Sequence, residues 1–350
     1  MASNPRQFRE PIILQVFSEV RKSGAERMLH SAIMAKPKLA SRILIVGFGK
    51  NHPYARELSN SGMKFSSMEG NAKSIFALMK YAKYLWANDP DVIHIHIEQA
   101  FILLVCIARI IKPKSTIVRT IHGDHRQSGY LYLRRRVMIN LAIRVFRVRW
   151  IACSSYIASF ETKTYGSKID FIENWASVEN PNNEEVAELE AKIQLDFGSR
   201  ERLLLIGNCD SNKNHVEILS NESVLEKYFI IHIGSTHGAE AEEIRLLSDS
   251  RIITWDLEPS IGYELCDAVI VPSIKEAMSV VVLESLVRGK EVLVTREWGF
   301  WWTSNFDSTP SEIIPGYWVL KKQHNLQTLR YRFSPMRGIA QYAQVYSGKR

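Results

Sequence analysis

Cysteine is scarce in this sequence. Its four copies, Cys106, Cys153, Cys209 and Cys266, stand far apart among 350 residues, mostly beside apolar neighbours and with no C-x-x-C pair. They offer no short zinc or redox motif and read as reduced core residues. Long apolar runs are missing too: the longest, residues 100–108, is about half of the roughly 20 residues needed to cross a bilayer. It reads as a buried helix. The first ten residues carry Arg6, Arg9 and Glu10 where a secretory signal would have its apolar core, so a cytoplasmic location is expected. Internal repeats and low-complexity segments are also lacking. Charge of one sign is not lacking, since the formal net charge is +8. That balance suits anionic partners such as nucleic acid, lipid headgroups or phosphorylated substrates. A nucleic-acid binder would need a clustered aromatic and basic strand face, which the sequence does not show.

What is present is alternation. At 350 residues the chain exceeds what one core usually fills, so two domains are expected. Short apolar runs at 12–17, 43–47, 92–96, 116–122, 150–153 and 169–173 are separated by helical patterns. After a polar, acidic stretch at 179–202, opened by Asn180-Pro181-Asn182-Asn183, the alternation resumes with runs at 203–207, 229–234, 251–254, 268–272 and 291–295. Parallel strands with crossover helices follow from this pattern. The predicted fold is α/β: two doubly wound sheets, 1–178 and 203–330, facing across a cleft and joined by a connector at 179–202. In such sheets ligands bind beyond the carboxyl ends of the strands, where backbone N–H groups point at anions.

One strand-end segment carries a pair of carboxylates. The run at 268–272 leads into Ser273-Ile274-Lys275-Glu276-Ala277-Met278-Ser279 and then a helix containing Glu284. Asp267, Val271-Pro272-Ser273, Glu276, Glu284 and Gly289 together resemble the E-x7-E signature of glycosyltransferase family 4. The resemblance implies a GT-B fold of two Rossmann-like domains, with Glu276 at the donor sugar and Glu284 at the nucleotide ribose. Two solvated glutamates at a helix end are the competing structural reading.

The loop Asn208-Cys209-Asp210-Ser211-Asn212-Lys213-Asn214-His215 resembles the family's Arg-x4-Lys loop over the donor diphosphate and places Lys213 on its lysine. An ammonium there offsets charge gathering on the leaving diphosphate. Where the family has arginine this chain has Asn208, which cannot form a charged bidentate fork. That substitution is expected to cost about 1–2 kcal/mol of donor binding. Helix N-termini at Asn214 and Ser279 are expected to supply backbone donors. The implied donor-binding set is Gly24, Asn208, Lys213, Glu276, Ala277, Met278, Ser279 and Glu284.

The first half adds weaker signals. Ser23-Gly24-Ala25-Glu26-Arg27 resembles the family's Gly-Gly-Ala-Glu-Arg turn, with Ser23 in place of the first glycine. His122, followed by Gly123 and Asp124, resembles the segment that approaches the donor sugar, which makes His122, Lys213 and Glu276 the catalytic candidates. His94 and His96 share a strand face by period-two geometry; without a third ligand no metal site is expected, and His96 is an acceptor-side candidate. Gly47-Phe48-Gly49 begins a dinucleotide fingerprint, with Glu69 near the ribose distance, but the third glycine is missing. Asp89-Pro90-Asp91 lies at a strand entrance, the wrong end for a metal-binding Asp-x-Asp. Residues 131–149 mix Arg134, Arg135, Arg136, Arg144, Arg147 and Arg149 with Leu133, Val137, Met138, Leu141 and Val145. They read either as a solvated helix covering the sheet or as a dock for an anionic membrane. Trp298, Phe300, Trp301 and Trp302 either stack on sugars or pack in the core.

By resemblance the chain is a retaining, metal-independent, hexosyltransferase-type enzyme. It would use a UDP- or GDP-linked sugar as substrate with no cofactor, and a glycan or lipid-linked acceptor in cell-surface polysaccharide synthesis, with no nucleic-acid partner. It would sit in the cytoplasm or on the inner face of the membrane. The resemblance extends to Tyr342 and Tyr346 in 331–350, where the fold's last helix packs back on the first domain. It departs at Ser23, Asn208, Asn174-Trp175 in place of Asn-Gly, and Ala277 to Ser279 in place of a glycine-rich turn. A nucleotide-sugar 2-epimerase on the same fold, or a non-catalytic nucleotide-sugar-binding subunit, are the alternatives.

Overall fold

Seven strands build the first sheet: β1 (Ile13–Phe17), β2 (Ile43–Gly47), β3 (Lys64–Ser67), β4 (Val92–Ile95), β5 (Thr116–Ile121), β6 (Arg149–Ala152) and β7 (Asp170–Phe171). All pair in parallel, in the order β3-β2-β1-β4-β5-β6-β7. The computed structural model describes residues 10–123, 127–166, 169–176, 178, 180–236, 239–255, 257–297, 302, 305–311, 314–321 and 325–347. β1, β2 and β4 are buried along their whole length, because helices cover both faces of a parallel sheet and leave no solvated side.

The second sheet comprises β8 (Glu201–Ile206), β9 (Tyr228–Ile233), β10 (Ile252–Trp255), β11 (Ala268–Val271), β12 (Glu291–Thr295), β13 (Ser308–Pro310) and β14 (Tyr317–Leu320). Its order is β10-β9-β8-β11-β12-β14-β13, parallel except for the antiparallel edge that β14 and β13 add. In both sheets the order reverses beside the first strand, between β1 and β4 and between β8 and β11. Those two reversals are the switch points at which doubly wound sheets bind ligands.

Three strands differ from the sequence expectation. β3, β13 and β14 lie at or next to a sheet edge, and β3 (KFSS) is exposed to half-buried. β3 and β13 are edge strands, which bury little and need no apolar run, whereas β14 (YWVL) is an apolar run between β12 and β13 that the sequence reading did not single out. Helix Asn183–Phe197 was expected within a connector. Instead it packs on helix Pro259–Leu265, and Glu190 on it pairs with Arg202 at the start of β8, with Nη2 2.7 Å from Oε1.

By its internal contacts the chain divides into two units, Met1–Asn174 with Pro335–Arg350, and Trp175–Ser334. Helix Pro335–Tyr346 is part of the first unit. There the Tyr342 hydroxyl lies 2.9 Å from Thr120 Oγ1 on β5, and the Tyr346 hydroxyl 2.8 Å from His94 Nδ1 on β4.

The basic stretch at 131–149 is shorter as a helix than the sequence suggests. Helix Gly129–Arg144 ends four residues before β6, Arg147 has a left-handed backbone (φ 51), and Arg149 lies on β6. Arg135 is buried and paired with Glu98 and Glu161. Arg134, Arg136 and Arg144 are exposed, as are Tyr130, Leu133, Val137 and Leu141. Of the aromatic group, Trp302 is buried and packs 5.8 Å from Phe306; Trp298, Phe300 and Trp301 lie outside the described residues, as does Asp124.

Candidate functional site

At the second sheet's switch point the loops after β8 and β11 are laced together. The Ile274 N–H donates to Asn212 O (2.8 Å), and Asn212 Nδ2 donates to Lys275 O (3.1 Å). Asp210 Oδ1 accepts the backbone N–H groups of Asn212 (2.8 Å) and Lys213 (3.1 Å), a turn that Asp makes by mimicking a backbone carbonyl. The loop so shaped projects the Lys213 ammonium onto Glu276, Nζ to Oε1 2.6 Å. Ser273 donates its hydroxyl to the same carboxylate oxygen at 3.0 Å. Both partners are partly open, at 27% and 15% side-chain exposure, so a ligand can reach them.

Glu284 occupies a deeper position. Its side chain is buried in helix Val280–Val287, and Oε2 accepts the Tyr263 hydroxyl at 2.9 Å. The structure thus joins Lys213 to Glu276 directly and holds Glu284 against Tyr263. Between these positions Ala277 is half-buried, and Met278 and Ser279 are buried.

Asn208 has a structural task. Its Oδ1 accepts the Ser235 N–H at 3.0 Å, and the Cys209 N–H donates back to Ser235 O at 3.0 Å. The tips of β8 and β9 are thereby clamped. Gly234 is required there, because a Cβ would lie 2.1 Å from Gly207 O. The five-residue helix His215–Leu219 that follows is too short for the N-terminal dipole expected at Asn214.

In the first domain the switch point gathers histidines. His96, just past β4, stacks on Phe17 at 4.5 Å and donates through Nε2 to Gln15 Oε1 (2.8 Å). Its Nδ1 then accepts from His122 Nε2 at 2.9 Å. His94 bonds Tyr346 and Thr120 through its two nitrogens. Burial pushes the His94 imidazole down to about 3 and holds His96 well below its ordinary value, so both are neutral near pH 7. Their ring nitrogens are engaged in these bonds, which removes the metal reading for this pair.

Gly24 is the first residue of helix Gly24–Ala35. The Ser23 hydroxyl donates to the carboxylate of Glu26, whose pKa burial raises. Gly47 and Gly49 are explained without a dinucleotide. A Cβ on Gly47 would lie 2.5 Å from the His52 ring, and Gly49 has φ +109. Glu69 pairs instead with Lys80.

Residues 23–180 match the model of the family described as Glycosyltransferase Family 4. This domain belongs to glycosyltransferase family 4. The chain is a glycosyltransferase, and its two sheets match solved GT-B structures. Anabaena HepE in complex with UDP and glucose matches with TM-score 0.75 at 16% identity, covering 97% of this chain and 100% of that one. A glycosyltransferase from Rickettsia africae matches with TM-score 0.68 at 17% identity, covering 97% and 94%. WaaG, a glycosyltransferase involved in lipopolysaccharide biosynthesis, matches with TM-score 0.59 at 14% identity, covering 96% and 97%. A search of curated proteins finds no match.

The family 4 match ends before the Glu276 to Glu284 segment, so that pair rests on its own geometry. Several residues of this glycosyltransferase escaped the sequence reading. Ser273 was visible only as part of a strand end, and Asn212 only as a loop residue. Tyr263 and Gln15 acquire their roles from partners 21 and 81 residues away in the chain, a separation that no local pattern records.

Proposed function

We propose that this chain transfers a hexose from a UDP- or GDP-linked donor to a glycan or lipid-linked acceptor, with retention at the anomeric carbon, in cell-surface polysaccharide synthesis. The observation that carries the reading is the Lys213–Glu276 pair at a topological switch point, 2.6 Å apart and partly open to solvent. An ion pair of this exposure contributes at most about 1 kcal/mol, so a donor can redirect the ammonium at little cost. Lys213 would then face the diphosphate and Glu276 the sugar hydroxyls. As the bond from the anomeric carbon to phosphate oxygen breaks, charge builds on the diphosphate and Lys213 offsets it, with no divalent ion needed at the leaving group. The acceptor hydroxyl approaches from that same face, and a diphosphate oxygen takes its proton. Glu284, fixed by Tyr263, is assigned to the ribose. In the first domain His122 and His96, hydrogen-bonded to one another, are assigned to sugar hydroxyls on the donor and acceptor sides. HepE with UDP and glucose supports a uridine donor as the first to test.

A thermal-shift panel of UDP- and GDP-sugars, followed by product analysis with and without acceptor, tests this assignment. Donor at 100 times its Kd adds about 2.7 kcal/mol of stability. Glu284→Ala should shrink the increment from free nucleotide. Glu276→Ala should keep that increment and lose discrimination among sugars. Equal and negligible effects of both substitutions would sink the assignment, and an altered donor sugar formed without acceptor would favour epimerisation.

We further propose that the first domain docks on an anionic membrane. Helix Gly129–Arg144 exposes Tyr130, Leu133, Val137 and Leu141 beside Arg134, Arg136 and Arg144. Helix Phe101–Ile111 packs on it and exposes Leu103 and Ile110; helix Ile75–Ala87 packs on that in turn and exposes Phe76 and Trp86 at 75% and 80%. Apolar side chains interleaved with cations suit a headgroup layer, and no helix among the described residues is long and apolar enough to cross a membrane. Flotation should show binding to anionic vesicles that weakens with salt and is absent with zwitterionic lipid. Arg134→Ala with Arg136→Ala should cost about 2 kcal/mol, roughly 30-fold. Binding indifferent to salt and to both arginines would discard the proposal.

A further inference from the structure

Beneath the loop that carries Lys213, three buried side chains converge. Cys209 Sγ and one ring nitrogen from each of His215 and His232 lie within 4.8 Å of one another. Cys209 comes from the loop after β8, His215 from the start of the next helix, and His232 from near the carboxyl end of β9. Their relative exposures are 2%, 2% and 0%.

The hydrogen bonds around the two imidazoles are incomplete in a specific way. His215 Nδ1 lies 2.9 Å from Glu243 Oε1, and His232 Nε2 lies 3.2 Å from Gly207 O. Each acceptor fixes the proton on the nitrogen facing it. His215 Nε2 and His232 Nδ1 are left as bare lone pairs, buried and without a hydrogen-bond partner. An imidazole kept in a core for packing satisfies both nitrogens, as His94 does in the first domain with Tyr346 and Thr120. Two half-satisfied imidazoles beside a thiol instead reproduce the environment of a ligated metal, in which each histidine's second nitrogen donates to a carboxylate or a backbone carbonyl.

We propose that Cys209, His215 and His232 bind a zinc ion through one thiolate and two neutral imidazoles, fastening the Lys213 loop to β9. Zn²⁺ takes sulfur at about 2.3 Å and nitrogen at about 2.0–2.1 Å in a tetrahedron. Those bond lengths put ligand atoms about 3.3–3.6 Å apart, so the trio closes by about 1 Å at its widest. The cysteine proton leaves to solvent on binding, and a water completes the fourth position. Cys209 and His215 bracket Lys213 in sequence, and His215 Nε2 and Lys213 Cδ both lie against Gly207, 3.3 Å and 3.5 Å from where a Cβ on it would sit. The ion therefore sets the base of the loop from which Lys213 reaches Glu276. Its role is structural and does not depend on the donor assigned above. No short motif reveals this site, since its second and third ligands are brought together by the packing of a helix on a strand.

The test is titration of the untagged, chelator-stripped full chain with Co²⁺ and then Zn²⁺. One Co²⁺ per chain should bind with a near-ultraviolet thiolate-to-cobalt charge-transfer band, and Zn²⁺ should bleach it. Cys209→Ser should remove the band and Cys106→Ser should keep it. Glu243→Gln, which leaves the three ligands in place, should weaken Zn²⁺ binding about 10- to 100-fold. X-ray absorption of the zinc-loaded wild-type chain should show one sulfur and two imidazole nitrogens, a readout that holds even if Cys209→Ser fails to fold. A folded wild-type chain that shows no thiolate band at one equivalent, a band unchanged in folded Cys209→Ser, or a zinc shell without sulfur would overturn the proposal.

Discussion

Replacing Lys213 with alanine is expected to lower kcat by about 10²–10³, the loss seen when a preorganised charge-stabilising donor is removed. The size of this expectation follows from what surrounds the lysine. Asn208, at the position where the family places an arginine, spends its side-chain oxygen on the Ser235 N–H, so the cationic part of the loop's work is assigned to Lys213. The folded state should hardly notice the change. Lys213 and Glu276 are partly solvated, and such pairs contribute at most about 1 kcal/mol. The comparison to make is saturating-donor kinetics against a thermal melt of the same preparation. An unchanged kcat would remove Lys213 from the mechanism; a fall in kcat matched by a large fall in melting temperature would reduce it to a structural residue.

The largest stability effect is expected at Glu98. The Arg119 guanidinium is almost fully buried, lies 4.8 Å from the Phe101 ring and 5.1 Å from the Trp150 ring, and is bonded to Glu98 and to the Ile97 carbonyl. Glu98 also pairs with Arg135, whose other side meets the buried Glu161 at 3.1 Å. Glu98→Ala takes from buried Arg119 the carboxylate bonded to it and leaves Glu161 to face both guanidinium groups, and breaking a buried pair from one side costs about 3–5 kcal/mol. Glu98→Gln retains hydrogen-bonding capacity and should cost less. Denaturant unfolding of the first domain would show the midpoint falling at constant m. A loss below about 1 kcal/mol would place the network with ordinary surface pairs.

Much of the fold could be read from the chain, because a strand buried on both faces is written as an uninterrupted apolar run. β2 (ILIVG), β9 (YFIIHI) and β11 (AVIV) are of this kind. The edges could not be read in the same way. KFSS in β3 and STP in β13 carry no such run, since backbone pairing to one neighbour holds them without an apolar face. The ends of helices were also lost. Arginines at 134–149 look like one amphipathic element by composition, yet the left-handed turn at Arg147 separates helix from strand.

The site divides along similar lines. Lys213 and Glu276 were legible because each follows a readable strand, and neighbouring parallel strands bring their trailing loops together. Asn208 looked like a weakened phosphate ligand, and only the β9 tip shows what its amide does. His96 and His122 were separately suspicious, whereas the 2.9 Å contact between them depends on β4 and β5 being neighbours. The convergence of Cys209, His215 and His232 was invisible, because six- and seventeen-residue gaps carry no recurrent ligand spacing.

The return of helix Pro335–Tyr346 to the first unit bears on the order in which the protein can mature on a ribosome. Everything the first domain needs except that helix has been made by Asn174, and the missing piece emerges only after the 160 residues of Trp175–Ser334. At about 5–20 residues per second that interval lasts about 8–32 s. Throughout it the polar rims of His94 and Thr120 wait for the phenols of Tyr346 and Tyr342. A nascent chain halted at the close of that window, at Ser334, would hold its second domain complete and its first one open, the reverse of the usual amino-to-carboxyl sequence of folding.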